Sequence, residues 1–202
     1  LNAKGFQIGG KPVKFVLMAE DDAAEPKQAT AAAQKLADSK VNGVIGHQTS
    51  GTSIPASRIY YNAGIPQISA SATSPVYTRQ KFNTTFRVVA NDLKLGGTLG
   101  KYAVEKLGTK RIAVIDDRTA YGMGVATEFV KGAKGAQIID KQFTNDKATD
   151  FNAILTKLKG AAPYAQSMSY WTYSDLFEES GPPPTPFHGG FGLMNREGIR
   201  KP

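Results

Sequence analysis

The chain has 202 residues, of which 41% are hydrophobic, and it carries a formal net charge of +8. This length and composition suit an ordinary soluble core, arranged as one generous domain or as two small lobes. The absence of cysteine excludes disulfides and thiolate chemistry, and two histidines leave little material for a zinc site or a histidine triad. The 25 lysines and arginines are scattered, so no nucleic-acid partner is predicted. No apolar run approaches the roughly 18 residues of a membrane helix, and we expect no metal or cofactor.

The first predicted strand covers residues 12–19, an apolar and β-prone run typical of a strand that is covered on both faces. Glu20, Asp21 and Asp22 follow it, and Pro26 stands where a helix should begin. The three carboxylates could bind a metal ion, or they could solubilise the loop and complement the helix N-terminus, which is the commoner use. The helix shows one apolar face, made of Ala29, Ala32, Ala33, Leu36 and Ala37.

Two consecutive predicted strands, residues 43–46 and 66–69, each end in a run of hydroxyl side chains. The carboxyl ends of parallel strands meet at one edge of a sheet, and the helix after the first strand directs its free N–H groups to that edge. This pattern predicts a polar pocket for a carboxylate or another small anion, although the same residues could simply cap helices and form turns. The hydroxyl residues are Thr49, Ser50, Thr52 and Ser53 after the first strand and Ser69, Ser71, Thr73 and Ser74 after the second.

The pattern continues as an alternation of strands and helices up to about Gly160. Asp92 marks the start of a helix, and Tyr121 stands at the start of another, where it could reach over the sheet edge as a lid or pack on the sheet. Short connections between strands and helices are typical of an α/β fold with a mainly parallel sheet and helices on both faces. The further predicted strands cover residues 86–90, 111–115 and 136–140, and the apolar positions of the helix after Asp92 are Leu95, Leu99, Tyr102, Ala103 and Leu107.

Seven segments carry a family resemblance, and they follow one another without interruption from residue 1 to about 160. They are LNAKG, EDDAAEPKQA, VIGHQTSGTSIPAS, AGIPQISASATSP, FRVVANDLKLGGTLGKY, RIAVIDDRTAYGMG and DFNAILTKLKG. Together they resemble the periplasmic branched-chain amino-acid binding proteins of ABC transporters. That resemblance implies a type I periplasmic binding fold, in which two α/β lobes close on a free amino acid. It also implies an incomplete fold here, since the family's first strand and most of its second lobe have no counterpart.

The resemblance assigns ligand-binding roles to four residues. Ser50 matches the serine at a helix N-terminus that holds the ligand α-carboxylate. Ser71 and Thr73 match the second loop, where a backbone carbonyl and a threonine hydroxyl take the α-ammonium and the carboxylate. Tyr121 matches the tyrosine of the second lobe that closes over the ligand. By the same resemblance, residues 1–92 are a first-lobe segment and residues 93–160 are part of a second lobe.

The function implied is that of a solute-binding fragment for a small branched-chain amino acid, without catalysis. Its affinity should be weak or lost, because an incomplete cleft encloses the ligand poorly. The partner of an intact protein would be the membrane permease of an ABC transporter. The location implied is the periplasm, although the chain shows no signal-peptide pattern. The sequence leaves the oligomeric state open, homo-oligomers included.

The composition changes from Ala161 onwards, where the single tryptophan and a cluster of prolines appear. The segments SYWTYSDLFEE, PFHGGFGL and GIRKP are similar to the last barrel strand and the following loop of family-39 glycoside hydrolases, the β-xylosidases and α-L-iduronidases. This resemblance places Trp171, Glu178 and Glu179 near a sugar subsite. The catalytic glutamate pair of that family lies on strands with no counterpart here, so we expect no activity. The change at residues 161–202 leaves three alternative interpretations of the chain. It could contain a glycoside hydrolase fragment, it could be a chimeric scaffold that binds no ligand, or its sequence could be incomplete.

Overall fold

The computed structural model describes residues 2–161, 169–170 and 192–193. It has two compact units, Leu1–Ala148 and Thr149–Pro202, which are described separately below. Helices and strands alternate through the first unit, which confirms the α/β prediction. None of the helices described is both long enough and apolar enough to cross a membrane. The helices are α1 (Pro26–Asp38), α2 (Ser50–Asn62), α3 (Pro75–Arg79), α4 (Asp92–Glu105) and α5 (Ala120–Gly132) in the first unit and α6 (Asn152–Ala161) in the second.

The strands of the first unit form one antiparallel pair and two parallel sheets. β1 pairs with β2 in an antiparallel hairpin, β3, β4 and β5 form a parallel sheet in that order, and β6 pairs with β7 in parallel. In the second unit, β8 and β9 pair antiparallel. The strands are β1 (Phe6–Ile8), β2 (Lys11–Val13), β3 (Val44–Ile45), β4 (Gln67–Ser69), β5 (Thr85–Arg87), β6 (Arg111–Asp116), β7 (Gln137–Phe143), β8 (Ser169–Tyr170) and β9 (Gly192–Leu193).

The three-stranded sheet is buried on one face and exposed on the other. Successive residues of a strand point to opposite faces, so neighbouring strands form alternating rows of side chains. The row Val44, Gln67 and Thr85 is buried, and the next row is Ile45, Ile68 and Phe86. Ile45 is 90% exposed, and the other two members of its row are exposed as well. Among the described residues, helices therefore cover only the face that carries Val44.

The buried face packs against α1 and α2, and the apolar face predicted for α1 is confirmed. Ala29 and Ala33 of α1 are fully buried, as are Ala56 and Tyr60 of α2. Removing this much apolar surface from water is the main favourable contribution to folding here. The core cluster consists of Ala33, Leu36, Val44, Ala56, Tyr60 and Ile65.

The prediction of a buried strand over residues 12–19 is wrong. Strand β2 ends at Val13, and residues 14–22 form neither a helix nor a strand. Leu17 is 90% exposed, and the backbone of Phe15 bonds to the side chain of Asn2 through two hydrogen bonds of 2.8 Å. A run of apolar residues becomes a sheet strand only when a neighbouring strand supplies backbone partners, and none of the strands described lies beside these residues.

Helix α4 buries glycines, whereas the sequence predicted an apolar face of large side chains. Tyr102 of that face is exposed, while Gly96 and Gly100 are buried against α5. A Cβ atom at Gly96 would lie 2.5 Å from the carbonyl oxygen of Val125, and one at Gly100 would lie 2.1 Å from that of Phe129. The backbones of α4 and α5 therefore touch directly, an approach that residues larger than glycine prevent.

Substituting Gly100 with alanine should destabilise the first unit. The added methyl group would overlap the α5 backbone, and overpacking of this kind costs about 1–3 kcal/mol or more. The matched control is Gly97→Ala on the same helix, where a Cβ atom would have no neighbour within 4 Å. Because alanine favours the helix over glycine by about 1 kcal/mol, the control should be neutral or stabilising. Urea denaturation of the three proteins measures both effects, and equal stability of the two variants would contradict the contact.

Candidate ligand-binding site

Beneath the two hydroxyl-rich loops lies a chain of three polar side chains, Asp22, His47 and Tyr60. The His47 ring contacts the Asp22 carboxylate through Nδ1 at 2.5 Å and the Tyr60 hydroxyl through Nε2 at 3.0 Å. His47 and Tyr60 are buried, and Asp22 is nearly so. Burial, with a smaller contribution from the negative charge of Asp22, raises the pKa of Tyr60 from 10.0 to about 12. The hydrogen bonds of these three side chains link the loop before α1 to the end of strand β3 and to helix α2.

The backbone around His47 joins the two loops to each other. The His47 carbonyl accepts hydrogen bonds from the hydroxyls of Ser53, at 3.0 Å, and Ser69, at 2.9 Å. The Gly46 carbonyl accepts another from the Gln67 side chain at 3.1 Å. Ser53 belongs to α2, whereas Ser69 and Gln67 belong to β4, so these bonds fix the end of β3 against both neighbouring elements. Since the donors and acceptors are buried, each bond also prevents the cost of an unpaired polar group.

Helix α2 begins at Ser50 and is capped by Thr49. The Thr49 side chain accepts the N–H of Thr52 at 3.2 Å, and its carbonyl accepts the N–H of Ser53 at 2.9 Å. The N–H groups of Ser50 and Gly51 have no acceptor in the described part of the chain. A helix N-terminus with unpaired N–H groups attracts anions. The cap thus leaves the first two N–H groups of α2 available to a carboxylate.

The hydroxyls of Ser50 and Ser71 are held in complementary ways. Ser50 is buried, and its oxygen accepts the N–H of Ser74 at 3.1 Å. A hydroxyl that accepts one bond still has its proton to donate. Ser71 instead donates its proton to the Gln48 carbonyl at 2.6 Å, which leaves its oxygen as an acceptor only. Ser50 and Ser71 therefore lie on two loops that are hydrogen-bonded to each other. The Ser50 hydroxyl can still donate to a ligand, whereas the Ser71 hydroxyl can only accept from one.

Thr73 lies in the second loop, where three successive carbonyls accept hydrogen bonds from the protein. The Arg87 guanidinium donates to the carbonyls of Ala72 and Ser74, both at 2.9 Å. The Thr73 carbonyl accepts the N–H of Asp92 at 2.9 Å. The Thr73 hydroxyl is buried and has no hydrogen-bond partner among the described residues. Arg87 and Asp92 thus fix the loop that positions this hydroxyl.

Tyr121, the fourth predicted site residue, lies in the first turn of α5 and is partly buried. The N-cap of α5 is Thr119, whose side chain accepts the N–H of Gly122 at 2.9 Å. Thr119 is held in turn by Asp117 through hydrogen bonds of 2.9 Å and 2.7 Å. Helix α5 contacts α2, the helix that begins at Ser50. The closure of Tyr121 over a ligand stays a prediction.

The acidic residues after the predicted first strand contact protein groups. Glu20 pairs with Lys35 at 2.8 Å. Asp21 and Asp22 each accept a backbone N–H two residues ahead, and Asp22 also binds His47. Among the described residues, no cluster of three or more potential ligands could hold a metal ion. Their observed contacts are those of a structured loop.

Sequence analysis missed the contributions of His47, Tyr60 and Arg87. Each has at least one partner more than ten residues away along the chain, and local periodicity carries no information about such contacts. A histidine directly after a short strand, followed by four hydroxyl residues, was the available signal. The candidate sugar-contact residues Trp171, Glu178 and Glu179 lie outside the described residues.

The fold and the loops define an open α/β protein with a polar strand edge next to a helix N-terminus. A model of the family described as "Periplasmic binding protein" matches residues 1–174. The chain therefore belongs to the periplasmic binding protein family.

Relatives and solved structures agree with this membership. The chain is 38% identical over 170 residues to the Leu/Ile/Val-binding protein homolog 1 of Brucella suis, covering 83% of this chain and 44% of that protein. It is 40% identical over 160 residues to the leucine-, isoleucine-, valine-, threonine- and alanine-binding protein of Pseudomonas aeruginosa, covering 78% and 42%. The structure of LivJ from Streptococcus pneumoniae in complex with isoleucine is similar at 33% identity and a TM-score of 0.69, covering 79% of this chain and 45% of that one. The chain thus spans less than half the length of these proteins.

Replacing Tyr60 with phenylalanine should lower stability most at neutral pH. The substitution leaves His47 Nε2 without its hydrogen-bond partner, while the Asp22 contact at Nδ1 remains, and an unpaired buried group of this kind costs about 1–3 kcal/mol. Since the pKa of Tyr60 is raised on folding, its contribution is fully present below pH 10.0 and decreases as the pH rises towards 12. The stability difference between wild type and Tyr60→Phe should therefore narrow over that interval. Urea denaturation at several pH values measures it, and a constant difference would contradict this account.

Proposed function

We propose that the chain binds a small branched-chain amino acid reversibly, without catalysis, at the edge formed by Ser50, Ser71 and Thr73. The observation that carries this proposal is the arrangement at the start of α2. The Ser50 hydroxyl accepts the Ser74 N–H and retains a proton to donate, next to the N–H groups of the first helical turn. A carboxylate needs several donors converging on it, and this position offers them.

The second loop supplies hydrogen-bond acceptors, whereas the start of α2 supplies donors. The Ser71 oxygen can only accept, because its proton is bound by the Gln48 carbonyl. An ammonium group is a donor only, so acceptor oxygens at this position complement it. A carboxylate and an ammonium side by side form the common part of every free amino acid. The geometry therefore favours an amino acid over a simple anion, with Tyr121 as the group that closes over it.

The names of the relatives support a branched-chain amino acid as the ligand. The relative from Pseudomonas aeruginosa is named for leucine, isoleucine, valine, threonine and alanine, and the structure from Streptococcus pneumoniae contains isoleucine. We infer that a protein containing this segment serves an ABC-type transport system in the periplasm and partners a membrane permease. The segment alone should bind weakly, because it supplies less than half of the length of these relatives.

We further propose that residues 161–202 derive from a glycoside hydrolase of family 39, which makes the chain chimeric. The change of composition at Ala161 supports this proposal, whereas the match to the periplasmic binding protein family extends past Ala161 to residue 174. Without a pair of catalytic glutamates at the separation that retaining enzymes need, this segment should not hydrolyse glycosides.

Calorimetric titration of the full chain with leucine, isoleucine, valine and, separately, xylobiose tests the proposal. An aliphatic amino acid should release heat, and Ser50→Ala should weaken its binding about tenfold or more, because a hydrogen bond to a charged group is lost. Ser57→Ala is the matched control, since Ser57 is equally buried in α2 but bonds to the Ile54 carbonyl and the Gln80 side chain. Binding that Ser50→Ala leaves unchanged would contradict the site. Heat from xylobiose alone would favour the carbohydrate alternative.

A further inference from the structure

The carboxyl group of Asp92 is fully buried and makes no hydrogen bond to the residues described. Asp92 is the first residue of α4, and its backbone N–H donates to the Thr73 carbonyl at 2.9 Å. Neither carboxylate oxygen has a hydrogen-bond partner in the described part of the chain. Proteins rarely leave a buried carboxyl group without a hydrogen-bond partner, because the loss of its contacts with water is then not compensated. An unpaired buried group next to a candidate site requires an explanation.

The Thr73 hydroxyl is the neighbouring unpaired group. It is buried and has no partner within hydrogen-bond geometry among the described residues, yet it lies close enough to the Asp92 carboxyl to lower the pKa of that carboxyl. The hydroxyl proton and the carboxylate oxygens are complementary. A small rotation of the Thr73 side chain is the simplest way to satisfy both groups.

The groups that face Asp92 come from three elements. Burial raises its pKa, the Thr73 hydroxyl and the Arg87 guanidinium of β5 lower it, and Glu128 of α5 raises it. On the α5 side, Gly124 leaves no room for a side chain, since a Cβ atom there would lie 2.6 Å from Asp92 Oδ2. Arg87 is already bound to the carbonyls of Ala72 and Ser74. Thr73 is thus the neighbouring hydroxyl still without a partner among the residues described.

We propose that Asp92 is a positioning residue, which takes the hydroxyl proton of Thr73 and so presents the Thr73 oxygen to the ligand as an acceptor. A hydroxyl has one proton, so binding it to Asp92 leaves only lone pairs for the ligand. Lone pairs favour an ammonium group. When Asp92 is protonated, its own proton goes to Thr73, and the Thr73 proton turns towards the ligand. Asp92 therefore sets the preference for an amino acid over an analogue without the amino group; this rests on the proposed function.

The test compares leucine with 4-methylpentanoate, which has the same carbon skeleton and carboxylate but no amino group. Calorimetric titrations use the full chain as wild type, Asp92→Asn, Thr73→Val and the double variant. In wild type, leucine should bind about tenfold or more tightly than the analogue at about pH 8. Asp92→Asn should abolish most of that preference, because the amide donates to Thr73. The double variant should be no worse than Thr73→Val, since Asp92 acts through Thr73.

Two further readouts distinguish positioning from a structural role. Burial raises the pKa of Asp92, so the wild-type preference should begin to decrease on acidification at a pH above the ordinary carboxyl range, and the preference of Asp92→Asn should not change over the same interval. Thermal melts should show Asp92→Asn at least as stable as wild type at about pH 8, because a buried charge is removed while the amide can still bond to Thr73. A structural residue would instead lose stability and affinity together. Glu128→Gln, which also removes a carboxylate near Asp92, is the control and should keep the preference at about pH 8.

The outcomes separate this inference from the proposed function. A preference for leucine that survives Asp92→Asn, or that falls by independent factors in the double variant, overturns the positioning role but leaves amino-acid binding intact. Failure of the wild-type chain to bind either probe overturns the proposed function and this role with it. Loss of the preference with stability retained supports both.

Discussion

The carbonyl oxygen of His47 is the acceptor on which the geometry of the candidate site depends. The hydroxyl of Ser53 donates to it from one side and that of Ser69 from the other, while the His47 ring is fixed between Asp22 and Tyr60. The end of one strand is thereby bound to the next helix and to the next strand. Without these bonds, two short polar loops would have no reason to adopt a single arrangement, since apolar burial alone is non-directional.

Much of the fold follows from local sequence, and the reason is visible in α1 and β6. Helical spacing of alanines predicted the buried face of α1, and the apolar run at residues 111–115 falls within β6. The hydroxyl runs indicated correctly that the exits of β3 and β4 are polar and lie next to each other, as the bond between Ser50 and Ser74 shows. The ligand-binding roles of these residues stay predictions.

Other features could not be predicted, because they depend on contacts distant in sequence. The run at residues 12–19 has the composition of a strand, but composition cannot reveal whether a neighbouring strand is present. Asp22 pairs with His47, and Arg87 donates to carbonyls of the second loop. Both contacts join residues from different elements. The contact of α4 with α5 could not be predicted either, since glycine contributes nothing to a hydrophobic pattern and yet forms the close backbone contact between the two helices.

The direct backbone contact between α4 and α5 has a mechanical consequence. Helices that meet through side chains can shift by rotamer changes, but backbones in contact at Gly96 and Gly100 have no such freedom. Helices α4 and α5 should therefore move as one rigid body. Because α4 begins at Asp92 and Tyr121 lies in the first turn of α5, a displacement at one helix start is transmitted to the other. The two helix starts should therefore shift together, without any change inside either helix.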